Sequence, residues 1–410
     1  MKWILINPPH FYLVNPNLRA PLGLLYIAAV LEDLKENVSV VNLSSKQLHE
    51  LELEEADVYG ITCTSIDIKV VEDLSKIIKT KYPKSKVIVG GVGANSLLSE
   101  NNKYIDCLVV GEAEDIMIHI IDKINNNDLS KTILCPKPQI LNSLPFPARH
   151  LYEYSLPINI ISSRGCSWNC SFCSSPYLYE HKVRFRNAFN IYREIRQLKK
   201  EYNTNYFIFE DDMLTIDKER LLCICFALKD LDIRWRAMIR VKPLDKEMLQ
   251  AMKDAGCDEV AVGVESFDNN VLKALNKGTT VKDNIKALEM IHSVGIKIRL
   301  LLMIRTPGQT KETMELNKKY LQTVPYDLLA CTMFTPIPLS DIYNNPTKYN
   351  IEILDRDPTN YNYSFYNKNG INELKPVFKI KNRSIKEFHN ETIEFQNWLI
   401  QYTPMNVGKE

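Results

Sequence analysis

The sequence lacks an excess of charge of either sign. Its 410 residues include 51 Lys and Arg against 50 Asp and Glu, a formal net charge of +1. We therefore expect no basic surface for nucleic acid or an anionic membrane, and we predict neither partner. With 45% hydrophobic and 25% charged residues, the composition is that of a folded globular protein and excludes disorder, collagen and coiled coil.

Long apolar runs are also missing. The longest one near the start, residues 22–31, contains a glycine and has about half the length of a membrane-spanning helix. An earlier run stops after four residues, at Asn7, Pro8 and Pro9, so we predict no secretory signal and expect a cytoplasmic protein. Ten cysteines are too few for a disulfide framework, and clustered thiols in a reducing compartment indicate metal ligands.

Strand and helix patterns alternate along residues 1–125. Apolar runs without alternation, such as residues 86–91 and 107–110, are typical of strands buried on both faces, and helical patterns separate them. This predicts an α/β fold whose first domain, residues 1–125, is a doubly wound, Rossmann-like parallel sheet. Small residues crowd the predicted strand ends, where ligands of such sheets bind.

The rest of the chain divides into three segments. Residues 126–157 lack a clear period and contain five prolines, which predicts a linker. Six further strand and helix units over 158–340 predict a partial (β/α)6 barrel of the TIM type. Residues 341–410 are predicted to be a short C-terminal extension, rich in Asn and Tyr over 343–366, that covers the barrel mouth and ends with a helix.

Three cysteines follow the first predicted barrel strand at CxxxCxxC spacing: Cys166, Cys170 and Cys173. Thiolates on one glycine-containing loop suit an iron–sulfur cluster or zinc. A structural zinc site would need a fourth ligand, and none lies in the surrounding sequence. Six other cysteines lie on apolar elements and are expected to be small buried side chains: Cys63, Cys107, Cys223, Cys225, Cys257 and Cys331.

The CxxxCxFC motif after the first strand of a partial barrel resembles the radical S-adenosylmethionine (SAM) superfamily. The resemblance implies that the three cysteines hold a [4Fe-4S] cluster and that SAM binds its open iron and is cleaved to a 5′-deoxyadenosyl radical. It also implies a set of SAM contacts near the adenine, amino, carboxylate and ribose groups, which we assign to Phe172, Glu210, Asp211, Arg240, Glu265 and Ser266.

A doubly wound domain ahead of such a barrel resembles the cobalamin (B12)-binding class of that superfamily. The DxHxxG motif, whose His binds cobalt in other cobalamin folds, is absent, and His10 is the candidate for that place. Some members of the class retain the domain and bind no cobalamin, so both outcomes stay open. The resemblance implies that cobalamin lies along the predicted strand ends, at Pro8, Thr64, Ser65, Gly90, Gly91, Gly93, Gly111 and Glu112.

These features predict a cobalamin-dependent radical SAM methyltransferase that acts on an unactivated carbon of a natural product, peptide or cofactor. The alternative is a radical SAM epimerase, dehydratase, or rearranging or C–C bond-forming enzyme that does not use cobalamin. In that case Cys331, on the sixth barrel strand, is the candidate hydrogen donor. A cluster- or cobalamin-binding sensor without catalysis is a third hypothesis. Expected partners are a small-molecule or peptide substrate and an electron donor such as flavodoxin or ferredoxin.

Overall fold

The computed structural model describes residues 1–11, 13, 15–48, 51–97, 102–136, 140–153, 156–361 and 376–402. The chain divides into two compact units, Met1–Ile158 and Asn159–Glu410. Within the described ranges, no helix has both the length and the apolar character that a membrane span requires. The predicted Asn- and Tyr-rich stretch is described only up to residue 361.

The first unit is a six-stranded sheet with helices on both faces. Neighbouring strands are parallel and follow the order β2-β1-β3-β4-β5-β6, so the order reverses between β1 and β3. The strands are β1 (Lys2–Asn7), β2 (Asn37–Asn42), β3 (Val58–Thr62), β4 (Lys86–Gly90), β5 (Cys107–Val110) and β6 (Thr132–Leu134). The helices are α1 (Leu22–Asp33), α2 (Ile68–Lys81) and α3 (Met117–Asn125).

Each face of this sheet has its own apolar core. Ile4 and Ile6 of β1 pack in the cluster that contains the buried face of α2. Trp3 and Leu5 of the same strand pack in the cluster that contains α1 and α3. Because side chains alternate along a strand, burial on both faces requires an uninterrupted apolar run, which is the pattern that predicted the doubly wound sheet.

The segment predicted as a linker also contributes to the first unit. Its short strand β6 pairs with β5, and its Leu141 and Ala148 are 3% exposed each. A three-residue strand has too little periodicity to be distinguished from a loop by sequence. The prediction missed it because β6 forms only where the edge of β5 offers backbone partners.

The second unit contains a six-stranded sheet in which the strands lie in chain order, β7-β10-β11-β12-β13-β14, as expected for a partial (β/α) barrel. Two short pairs, β8 with β9 and β15 with β16, are antiparallel. The strands are β7 (Ile158–Ile160), β8 (Ser163–Arg164), β9 (Arg184–Phe185), β10 (Tyr206–Phe209), β11 (Arg234–Arg240), β12 (Cys257–Glu265), β13 (Lys297–Ile304), β14 (Leu328–Met333), β15 (Ile351–Ile353) and β16 (Phe378–Ile380).

Helices follow the strands of the large sheet, so the expected α/β class is confirmed. Three short helices, α4, α8 and α11, the strand β9 and the pair β15 and β16 were not predicted. The helices are α4 (Ser175–Leu178), α5 (Ala188–Glu201), α6 (Lys218–Leu228), α7 (Lys246–Asp254), α8 (Asn269–Ala274), α9 (Val281–Val294), α10 (Lys311–Leu321), α11 (Asp341–Asn344) and α12 (Ile385–Tyr402).

The two faces of the second sheet differ in exposure. On β13 the alternate residues Ile298, Leu300 and Leu302 are buried, whereas Leu301 and Met303 on the other face are half-buried. In the middle of β11, Met238 is 45% exposed. A large apolar side chain exposed at the centre of a parallel sheet indicates a face that is open to a ligand.

The cysteines outside the CxxxCxxC motif are mostly buried, as predicted. Cys63, Cys107, Cys225 and Cys257 are buried, but the prediction was wrong for Cys223, which is exposed on α6. Residues two apart in a helix lie on nearly opposite faces, so α6 buries Cys225 and turns Cys223 outward.

Candidate functional site

The three-cysteine loop lies between β8 and α4. Cys166 and Cys170 are buried and Cys173 is partly buried. Burial raises the pKa of the Cys173 thiol to about 12, and the nearby Cys170 and Cys166 also raise it. The three thiols lie within eight residues of one loop, as the ligands of a shared iron–sulfur group do.

The donor set fits a cluster better than a single ion. In the part of the chain that the structure describes, no three His, Cys, Asp or Glu side chains converge as ligands of one metal ion. A [4Fe-4S] cluster does not require that convergence, because its cysteines bind separate irons. Three soft thiol donors on one loop therefore fit a cluster with one iron left open.

Gly165 explains how the chain enters this loop. Its φ of +96° lies in the left-handed region, and a Cβ there would be 2.2 Å from the carbonyl oxygen of Lys182 and 2.9 Å from Cβ of Tyr179. Only glycine avoids both the strained backbone and the collision. This turn directs the chain from β8 toward Cys166, and it packs against the segment just before β9, the strand that pairs with β8.

Asp211 holds the strand that leads into the loop. Its carboxylate accepts hydrogen bonds from the backbone N–H of Ser162 at 3.1 Å, from the Ser162 hydroxyl at 2.6 Å and from the Ser163 hydroxyl. Arg220 also donates to the carbonyl oxygen of Ser162, at 2.7 Å. The sequence predicted Asp211 as a SAM contact, but its described contacts give it a positioning role at β8.

Arg240 reaches the cysteine loop from the end of β11. One terminal nitrogen donates to Sγ of Cys170 at 2.9 Å and the other to the carbonyl oxygen of Lys277. Its guanidinium carbon lies 4.2 Å from the centre of the Trp168 ring, close enough for a cation–π contact. The structure therefore brings Arg240 to the predicted cluster ligands.

A buried ion pair lies beside this loop. Nζ of Lys277 is 2.7 Å from Oε1 of Glu265, and the two side chains are 4% and 11% exposed. The same Nζ lies 5.8 Å from the centre of the Phe172 ring. Glu265 ends β12 with a left-handed φ of 65°, at a shift in strand register. The loop is thus lined by Phe172, Arg240 and Glu265, three of the predicted SAM contacts.

The sequence predicted no role for Trp168 or Lys277. Trp168 lies inside the cysteine motif itself, at one of its variable positions. Lys277 precedes Gly278, which has a left-handed φ of +71°. A Cβ added to Gly278 would be 3.0 Å from the Trp168 ring, so the backbone at Gly278 packs against that ring. A lysine and glycine pair after a helix was the signal available, but it also fits an ordinary helix end.

The other predicted residues of the second unit lie in different settings. Glu210 follows β10 directly and is half-buried, with its backbone N–H bonded to the carbonyl oxygen of Ile160. Ser266 is fully buried, and its hydroxyl accepts from the backbone N–H of Asp268 at 3.1 Å, at the start of α8. Cys331 pairs in register with Leu302 and so lies on the buried face, where burial raises the pKa of its thiol.

In the first unit, the predicted cobalamin residues follow the carboxyl ends of four parallel strands and therefore share one edge of the sheet. Gly91 and Gly111 are exposed there, whereas Pro8 and Gly93 are buried. The other four predicted cobalamin residues at this edge are half-buried: Thr64, Ser65, Gly90 and Glu112.

His10 lies at this edge, at the point where the strand order reverses. Its Nδ1 is 3.0 Å from Oδ1 of Asp67 and its Nε2 is 3.2 Å from Oδ1 of Asn7. Thr64 donates its hydroxyl to the other oxygen of Asp67 at 2.6 Å. Since both ring nitrogens already have partners, the structure gives no support to His10 as a cobalt ligand.

Comparison with known proteins finds both domains. Residues 16–121 match the B12 binding domain and residues 160–320 match the radical SAM superfamily. The chain therefore contains a B12-binding domain followed by a radical SAM domain. It is accordingly a radical SAM enzyme, and its domains imply a [4Fe-4S] cluster, SAM and cobalamin as its cofactors.

Relatives of this radical SAM enzyme include proteins named as methyltransferases. An uncharacterised methyltransferase, PH0819, of Pyrococcus horikoshii is 27% identical over 374 residues, which are 82% of this chain and 81% of that protein. The hopanoid C-3 methylase of Methylococcus capsulatus is 26% identical over 382 residues, covering 85% and 73% of the two chains. The anaerobic magnesium-protoporphyrin IX monomethyl ester cyclase of Rubrivivax gelatinosus is 25% identical, covering 80% and 69%.

Solved structures share the fold at low identity. The radical SAM methyltransferase TsrM of Kitasatospora setae, with cobalamin and a [4Fe-4S] cluster bound, matches with a TM-score of 0.75 and 15% identity, covering 97% of this chain and 88% of that one. This likeness shows that the order of the two domains and their α/β architecture are the same in both proteins.

Proposed function

We propose that this protein is a cobalamin-dependent methyltransferase that methylates an unactivated carbon of a small-molecule or peptide substrate. The observation that supports this most directly is the pairing of a B12-binding domain with a three-thiol radical SAM loop in one chain. Relatives named for methyl transfer, among them the hopanoid C-3 methylase, point the same way. When bound, the cofactors supply a radical that removes a hydrogen atom from substrate and a cobalt-carried methyl group.

In this proposal the chain's own residues hold and orient the cofactors. Cys166, Cys170 and Cys173 are the cluster ligands, and Asp211 orients the strand before them through Ser162 and Ser163. Arg240 lies against the Cys170 sulfur and compensates the negative charge of a bound thiolate group. Burial of Cys166 and Cys170 would limit the access of water to the bound cluster.

The buried pair of Lys277 and Glu265 faces Phe172 next to the cysteine loop. We assign Glu265 to the SAM amino or ribose group, with Lys277 orienting the carboxylate through their ion pair. Phe172 packs against a hydrophobic cluster that includes Phe378 and Phe388 of the C-terminal extension. We assign Phe172 to the adenine face, where an aromatic ring is suited to stack.

In the first unit we assign cobalamin to the carboxyl edge of the sheet. Gly91 and Gly111 expose backbone without side chains there, which leaves room for a large flat ring. The Asn7, His10 and Asp67 network lies where the strand order reverses, the usual ligand position in such sheets. We further propose a small electron-carrying protein, such as flavodoxin or ferredoxin, as the source of reducing equivalents.

The first test measures cofactors and products. Protein purified without oxygen and reconstituted with iron, sulfide and hydroxocobalamin is expected to hold about four irons and one cobalt per chain. With SAM, reductant and an extract of candidate substrates, it should form both S-adenosylhomocysteine and 5′-deoxyadenosine. Cys170→Ala should lose the iron, whereas the matched variant Cys223→Ala, at an exposed thiol on α6, should retain it.

A second candidate is a radical SAM enzyme that joins or rearranges carbon bonds without methyl transfer. The 25% identity to the ester cyclase of Rubrivivax gelatinosus favours keeping it. Formation of 5′-deoxyadenosine without S-adenosylhomocysteine would select this candidate. Absence of both products from a protein that holds its cluster would contradict both candidates and favour a sensor.

A further inference from the structure

The loop between β13 and α10 contains three buried polar groups that have no hydrogen-bond partner among the residues that the structure describes. They are Nε of Arg305, the Thr306 hydroxyl and Nε2 of Gln309. Their side chains belong to residues that are 7%, 1% and 2% exposed. Buried polar groups are nearly always hydrogen-bonded, so each exception needs an explanation. Three exceptions within five consecutive residues, all able to donate, indicate one acceptor that is not among the described residues.

Arg305 is also a charge without a counter-charge. Its guanidinium makes no ion pair or hydrogen bond with any residue that the structure describes, and burial lowers its pKa. The guanidinium carbon lies 5.6 Å and 5.5 Å from the ring centres of Phe378 and Phe388. Cation–π contacts stabilise such a cation only in part, since buried charges normally have an anionic partner.

The backbone at Arg305 is strained. Its φ of 61° lies in the left-handed region, which favours glycine. Oε1 of Gln309 accepts the Arg305 backbone N–H at 2.6 Å and holds this conformation. Because that oxygen is already used, the amide NH2 of Gln309 is left to donate. A long charged side chain in a strained backbone position is typical of a functional site.

Neighbouring charges do not neutralise Arg305. Arg383 donates to Glu391 at 2.6 Å and to the carbonyl oxygen of Gln309 at 2.9 Å, so that arginine has its own carboxylate. Burial, and then the positive charge of Arg305, lower the pKa of His389. The surroundings of Arg305 are thus aromatic and positive.

We propose that Arg305, Thr306 and Gln309 bind a carboxylate or phosphate group of the substrate. The loop follows the carboxyl end of a barrel strand, where such barrels bind their ligands. It also borders the hydrophobic cluster around Phe378, against which Phe172 and Met303 pack, so the anion would be held near the cysteine loop. The assignment of the anion to substrate rests on the proposed function, whereas the oxyanion site itself does not. The carboxylate of SAM is the other source of the same chemistry.

The test uses the full chain, reconstituted with its cluster, and inorganic phosphate as the probe. Titration calorimetry at constant ionic strength should detect one phosphate per chain. Arg305→Gln should weaken phosphate binding about tenfold or more, since charge-assisted hydrogen bonds are the stronger ones. Gln309→Glu should abolish it, because the new carboxylate takes the place of the anion, and should raise Tm. Arg356→Gln is the matched control, since it removes an exposed guanidinium 4.8 Å from the Tyr343 ring and should not change phosphate binding.

Titration of SAM into the same proteins separates the two sources of anion. The substrate site is supported if Arg305→Gln binds SAM within about twofold of the wild-type affinity and if phosphate does not compete with SAM. Competition between phosphate and SAM would assign the anion to SAM and overturn the proposal. Equal phosphate binding by wild type, Arg305→Gln and Gln309→Glu would also overturn it. Neither failure touches the proposed function, which is tested on wild-type protein by its two SAM products.

Discussion

Lys277 and Glu265 form a buried ion pair across Gly263. Nζ lies 2.7 Å from Oε1, and a Cβ added to Gly263 would be 2.8 Å from Nζ and 2.9 Å from Oε1. Because Gly263 has no side chain, β12 leaves room at this position for the two charged groups. This arrangement joins the end of β12 to the segment after α8, next to the cysteine loop.

Breaking this pair should destabilise the protein strongly. Lys277→Met leaves the Glu265 carboxylate buried without its cation, and we expect a loss of roughly 3–5 kcal/mol in the free energy of unfolding. The double variant Lys277→Met/Glu265→Met should lose less than the single variant, because no buried charge remains. Urea denaturation measures both, and a double variant less stable than the single one would contradict this account.

Gly93 should not tolerate a side chain. A Cβ at Gly93 would be 2.4 Å from the carbonyl carbon of Thr64 and 2.5 Å from its oxygen. Since both are backbone atoms, Gly93→Ala must displace the loop after β3, and we expect a loss of about 1–3 kcal/mol.

Gly23 provides the matched control for that substitution. It lies in α1, and nothing lies within 4 Å of an added Cβ. Gly23→Ala should therefore stabilise the first unit by about 0.5–1 kcal/mol, through helix propensity. Thermal unfolding of the two variants should shift in opposite directions, and a shift of the same sign in both would refute the packing argument.

Asp211→Asn should weaken the cysteine loop. The amide keeps the shape of the carboxylate but lacks its negative charge, so it accepts the hydrogen bonds from Ser162 and Ser163 more weakly. We expect a loss of about 1.5–3 kcal/mol in stability together with less iron retained after reconstitution and desalting. Asp230→Asn, at an exposed position, is the control and should change neither measurement. Full iron retention by Asp211→Asn would show that Asp211 does not support the loop.

Buried thiols should make stability depend on alkaline pH. Burial raises the pKa of Cys225 from 9.0 to about 12. The folded state therefore keeps this proton above pH about 9, whereas the unfolded state releases it, and stability should fall as pH rises from about 9 to about 12, by up to about 1.4 kcal/mol per pH unit. Below pH about 9 the thiol should have no effect on the pH dependence.

Two alanine variants of α6 test the assignment to Cys225. Cys225→Ala should flatten the alkaline slope of the unfolding free energy, whereas Cys223→Ala removes an exposed thiol from the same helix and should leave the slope unchanged. The slope, and not the absolute stability, is compared, because Cys225→Ala also leaves a small cavity. Equal slopes in the two variants would show that other groups cause the alkaline loss.

The local sequence pattern was sufficient to predict the elements that define the fold. Apart from β6, the strands of both sheets have uninterrupted apolar runs or a period of two, and the long helices have apolar positions at helical spacing, so these elements were predicted close to their observed bounds. The three-cysteine motif was equally readable, because all its donors lie within eight residues of one loop. Such information is carried by near neighbours in the chain.

Only the tertiary structure decided which side chains meet. Asp211 lies 49 residues from Ser162, and Arg240 lies 70 residues from Cys170, so no periodicity relates the members of either contact. The same is true of Arg305, whose position between Phe378 and Phe388 depends on the extension packing onto the barrel strand. By itself, the sequence determined two α/β domains and a thiol loop, because periodicity and spacing are local. Which charges are paired, and which one is left for a ligand, depends on segments that are brought together by burial of their apolar faces.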